Sequence, residues 1–137
     1  MTKMRVTAEG GDRYRITIRG HQILVDQPVD EGGDDTAPTP TELFVAGLAS
    51  CVAFYGGRYL RRHDLPTDAF AVESSFRMAD DRPTRVRSIR IDVHLPDGFP
   101  EGRREAFLAV LRHCTVHNSL SLKPDVAIAL TAEPRAA

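Results

Sequence analysis

The chain has 137 residues, room for one domain and one sizeable core. It is 42% hydrophobic and 27% charged, with 18 basic residues against 19 acidic ones, and that parity argues against binding nucleic acid or an anionic membrane through bulk charge. Two cysteines, Cys51 and Cys114, are too few for a disulfide-stapled secreted scaffold or an all-cysteine zinc site. The opening run MTKMRVTAEGGDRY lacks an apolar signal core, so a cytoplasmic location is expected. A standing structural disulfide would be unusual there, which leaves the pair as buried thiols or as a working redox couple.

The first 26 residues read as an antiparallel meander. Val6 and Ala8 alternate with polar neighbours, Gly10-Gly11-Asp12 supplies a turn, and Tyr14, Ile16 and Ile18 alternate with Arg13, Arg15, Thr17 and Arg19. After Gly20-His21 a third short strand runs from Gln22 to Asp26. Residues 27–40 have no periodicity and are rich in Pro, Gly and Asp. They predict a long, solvated acidic loop, since Asp30, Glu31, Asp34 and Asp35 do not follow the calcium-loop pattern.

A helix follows. Thr39 or Thr41 can cap it, Pro40 suits its first turn, and Glu42 places a carboxylate near its positive end. From Leu43 to Tyr55 there is no charge, a run too short for a bilayer, which takes roughly 20 residues. A helix apolar on every side must be buried on every side, and in so short a chain that calls for a second subunit. Gly56-Gly57 weakens the helix, yet Arg58 to Arg62 carry it to about His63, with Pro66 beyond. Phe70 to Met78 and Ile89 to Leu95 are then expected as strands joined by the Asp80-Asp81-Arg82-Pro83 loop. Phe99 to Cys114 has helical spacing, Val126, Ile128 and Leu130 suggest a last strand, and the EPRAA tail is expected to fray. The order βββαββαβ describes an α+β fold filling residues 1–137 as a single domain.

Cys51 falls in the middle of the uncharged helix and Cys114 on the apolar stripe of the second. On spacing alone, buried structural thiols are the plainer reading of both. Their flanking sequences add something more specific. The run PTPTELFVAGLASC resembles the first cysteine signature of the OsmC/Ohr family, and HCTVHNSL is similar to its second. The resemblance covers essentially the whole chain. It implies an OsmC-like fold, antiparallel sheets wrapped around long central helices, assembled as an intertwined homodimer.

The function it implies is a thiol peroxidase for organic hydroperoxides with no cofactor and no metal. Cys51 would attack the peroxide and become a sulfenic acid; Cys114 would resolve it as a disulfide, which an external dithiol, of lipoyl type for example, then reduces. That chemistry needs Cys51 as a thiolate beside a positive group. By motif, Arg13 after Gly10-Gly11 is the best match to the family's arginine, with Arg15 and Arg19 weaker, and Glu42 is the nearest match to its glutamate. Two departures stand out: Thr41 occupies the position of the acid, displacing Glu42 by about 100° along a helix, and Thr115 stands where a proline is usual. Pro-x-Glu-Leu here looks closer to the less characterised OsmC-like branch. The alternative function is a non-enzymatic relative that binds an apolar small molecule in the dimer cavity. A purely structural domain with inert thiols is a third reading. A zinc site from Cys51, His113, Cys114 and His117 is disfavoured, because adjacent residues diverge on a helix.

Overall fold

Three strands open the chain, as the alternation predicts. In the computed structural model, which describes residues 1–132, β1 (Met4–Gly10), β2 (Arg13–Ile18) and β3 (His21–Val25) form one antiparallel sheet in that order. The register sets Val6 opposite Ile16 and Ile16 opposite Ile23, so the apolar residues share a face. On the opposite face Arg15 bridges Glu9 and Gln22 of the flanking strands.

The loop after β3 is organised around a carboxylate. Asp26 is 1% exposed and accepts hydrogen bonds from the Thr36 hydroxyl at 2.7 Å, the Thr36 N–H at 3.0 Å and the Gln27 N–H at 2.8 Å. These donors, Thr36 foremost, hold its carboxyl down at about 2. The loop is closed a second time where the Asp26 N–H donates to the Pro38 carbonyl at 3.1 Å. Only the outer acids, Asp30, Glu31, Asp34 and Asp35, match the expected solvated loop.

Helix α1 spans Pro40–Arg62 and begins with a capping box. The Glu42 N–H donates to the Thr39 hydroxyl at 3.0 Å, and the Thr39 N–H donates back to the Glu42 carboxylate at 2.8 Å. The uncharged run is only part of the helix, and at 23 residues α1 as a whole is by length and composition alone long and apolar enough to cross a bilayer. Its packing is that of a core helix. Leu48, Val52, Tyr59 and Leu60 join Phe107, Leu111 and Cys114 in one buried cluster. Gly56 is there for space: a Cβ would come within 2.6 Å of the Phe70 ring and 3.3 Å of the Phe107 ring. Burial on every side is not what one chain achieves, because the opposite face carries Phe44 and Phe54 into the open, Phe54 at 53%.

Strands β4 (Ala71–Met78) and β5 (Val86–His94) pair as an antiparallel hairpin and turn Val72, Ile89, Ile91 and Val93 onto the α1 core. The second predicted helix is divided. α2 runs Arg104–Arg112 after a 3-10 turn at Glu101–Arg103, and a separate α3 runs Thr115–Ser121. The last expected strand does not form within one chain: residues 123–132 have no regular structure, with Ile128 91% exposed. The alternation of Val126, Ile128 and Leu130 is real, but no described strand pairs with it. The expected fraying of EPRAA concerns residues outside those described. The α+β class and antiparallel sheets stand.

Candidate active site

The two cysteines meet where α1 faces the α2–α3 junction. Cys51 sits at mid-helix and half-buried, packed on the core cluster that contains Cys114. Cys114 is fully buried in the same cluster as Phe107 and Leu111 but, contrary to the single-helix reading, it has an extended conformation as the N-cap of α3. Its sulfur accepts the His117 N–H at 3.4 Å, so the three-residue spacing is used by the His117 backbone. The two thiols are close enough to act on each other. Burial pushes the Cys114 thiol above its ordinary value, the His117 N–H draws it down, and neighbouring Cys51 raises it again.

The other motif residues lie elsewhere in this single chain. Arg13 opens β2 opposite Gly10, and its charge adds to that of Arg15 in favouring the ionised form of Glu9. Arg15 is engaged by Glu9 and Gln22, and Arg19 occupies a turn at φ 48°. Glu42 is occupied by the capping box. Among the described residues none of these forms a hydrogen bond or ion pair with either thiol, and no group of three potential metal ligands converges.

Two features beside the cysteines escaped the sequence reading. An apolar groove of about 340 Å³ is lined by Leu48, Val52, Ile91 and Leu111, with Arg112 and His117 as its polar members. The Tyr55 hydroxyl meets the Thr115 hydroxyl at 2.9 Å, joining α1 to α3. The groove was partly foreshadowed by the alternation of β5. The tyrosine gave no signal, because a hydroxyl on an apolar run identifies no partner sixty residues away.

A partly buried thiol, a fully buried thiol beside it and a long helix braced by an antiparallel hairpin define a class: small α+β proteins built around a cysteine pair. The chain belongs to the OsmC-like protein family, whose profile matches residues 32–129. It is similar in structure to a proposed osmotic stress induced and detoxification response protein from Psychrobacter arcticus 273-4, with 28% identity, TM-score 0.79, and 87% and 88% of the two chains covered. The organic hydroperoxide resistance protein OsmC of Legionella pneumophila shares the fold at 18% identity and TM-score 0.66, over 88% of each chain. So does the organic hydroperoxide resistance protein OhrB of Bacillus subtilis, at 20% identity and TM-score 0.61, over 85% of this chain and 89% of that one. No curated protein matches the chain.

Proposed function

We propose that the protein is a thiol peroxidase that reduces organic hydroperoxides in oxidative-stress defence, with Cys51 as the attacking thiol and Cys114 as the resolving one. The observation that carries this reading is the contrast between the pair. Cys51 keeps partial exposure, whereas Cys114 is fully buried beside it in the core cluster. A peroxide-reactive cysteine must be reachable, and a resolving cysteine must be near it. The Cys51 thiolate attacks the outer oxygen of the hydroperoxide, the O–O bond breaks, and the alcohol leaves as Cys51 becomes a sulfenic acid. Cys114 then displaces water to form the disulfide, and an external dithiol, such as a lipoyl group, restores both thiols.

The active unit in this proposal is a homodimer of single-domain chains (residues 1–137) in the cytoplasm, where thiols return to the reduced state. The open apolar face of α1 and the uncovered sheet β1–β3 support a second copy. In such a pair Arg13 of one chain would approach Cys51 of the other and supply a positive charge; among the described residues no cation forms an ion pair with either thiol within one chain. Glu42 contributes as the cap that fixes the start of the Cys51 helix.

Titration of the reduced protein with cumene hydroperoxide tests the reading: both thiols should disappear together and a Cys51–Cys114 disulfide should appear by mass. Retention of both thiols would sink it. A non-enzymatic role as a carrier of apolar small molecules is favoured by one observation, the groove with Arg112 and His117 among its lining. Under that reading an apolar acid binds there while the thiols stay unchanged.

A further inference from the structure

Tyr55 lies one turn beyond Cys51 on α1, and residues four apart share a helix face. Thr115 directly follows Cys114 and opens α3. Their hydroxyls meet at 2.9 Å, among the described residues the one side-chain hydrogen bond from α1 to α3. Further hydrogen bonds among the described residues hold the junction carrying Cys114 together internally. The Asn118 side chain donates to the His113 carbonyl at 3.2 Å, and the Asn118 N–H donates to the Cys114 carbonyl at 2.9 Å. Apolar packing draws the junction onto α1, but packing has no direction. The hydroxyl pair does, and it ties the junction to the Cys51 helix at one defined point.

We propose that Tyr55 and Thr115 are positioning residues for disulfide closure, holding the Cys114 sulfur in line with that of Cys51. The physiological use of the contact rests on the peroxidase reading. The closure itself is balanced without any further reactant. The Cys114 sulfur attacks the Cys51 sulfenic sulfur, the S–S bond forms as the S–O bond breaks, and the departing hydroxide takes the Cys114 proton to leave as water. The hydroperoxide has already removed the two electrons. The contact therefore acts on resolution and leaves the peroxide step to Cys51.

Two measurements on the full-length protein separate this from the peroxidase reading. In a glutathione redox buffer, Tyr55→Phe and Thr115→Val should each lower the effective concentration of one thiol toward the other about tenfold, a modest misalignment effect. Thr115→Ser should restore it, and the double variant should be no worse than either single one, because both remove the same bond. With cumene hydroperoxide, the same variants should oxidise Cys51 at the native rate but accumulate a sulfenic acid trappable by dimedone. Unchanged closure in both single variants, or failure of Thr115→Ser to restore it, overturns the proposal. If the redox-buffer pattern holds and cumene hydroperoxide oxidises no form of the protein, the positioning role stands and the peroxidase reading falls alone.

Discussion

The two sheets have similar alternation but very different surroundings. The β4–β5 hairpin lays Val72, Ile89, Ile91 and Val93 against α1, and behind them Leu60, Phe107 and Cys114 are wholly buried. The β1–β3 sheet has an apolar face of equal quality, yet among the described residues no helix covers it, and Val6 remains 59% exposed. A period of two identifies which face wants covering and says nothing of what covers it. Within one chain, α1 has enough apolar surface for a single sheet. Its remaining apolar face and the N-terminal sheet are both left over, which is the pattern expected when a second copy completes the core.

The largest effect should come from the covered side. Phe107 is 2% exposed and meets the rings of Tyr59, Phe70 and Phe99. Phe107→Ala should cost about 3–5 kcal/mol in denaturant unfolding. Filling the same core from the other direction, Gly56→Ala should cost about 1–3 kcal/mol, because the Phe70 ring must move away. If both changes fall below 1 kcal/mol, the tight half of the comparison is wrong.

How much of this could be read from the sequence depends on the range of the interaction. The capping box, the strands of the meander and the end of α1 near His63 rest on neighbours a few residues apart, and their sequence signals are direct. The break between α2 and α3 was hidden because Phe107, Leu108, Leu111 and Cys114 keep helical spacing straight through it. Extended backbone at Cys114 costs the apolar pattern nothing. Asp26 reads as a strand end and the loop as solvated, since three donors converging on one carboxylate leave no periodic trace. The flanking motifs mark both cysteines, but their juxtaposition is a tertiary fact.

On the uncovered side, Val6→Asp sharpens the comparison. In an isolated chain so exposed a substitution changes stability within about 0.5 kcal/mol. If a second copy closes on this face, sedimentation of the native protein should give twice the chain mass, and Val6→Asp should halve it at micromolar concentration. A native protein that sediments as one chain breaks the inference of shared covering.

The acid stability of the loop between the two regions is the next test. The Asp26 carboxyl is held at about 2 against an ordinary 3.8, so its ionised form favours the folded state. Its contribution is fully present above pH 3.8 and is lost as the pH falls toward 2. Thermal melts across that window should fall with pH in the native protein and lose that component in Asp26→Asn. A slope equal in both would mean that Thr36 and Gln27 do not favour the charged form.

The smallest effect concerns Glu42, where capping and catalysis predict different outcomes from one atom. Its carboxylate accepts the Thr39 N–H at 2.8 Å, a contact that a glutamine oxygen makes equally well. Thr39→Ala removes the other half of the box and should cost about 1 kcal/mol. Glu42→Gln should stay within about 0.5 kcal/mol of native stability, and its rate of Cys51 oxidation should match the native protein. A helix cap tolerates loss of the charge because the hydrogen bond remains. A group that orients a charged arginine does not, since the attraction depends on the carboxylate. A fall in peroxide rate at unchanged stability would therefore give Glu42 a role beyond the cap, and would require the second subunit to bring a cation to the start of α1.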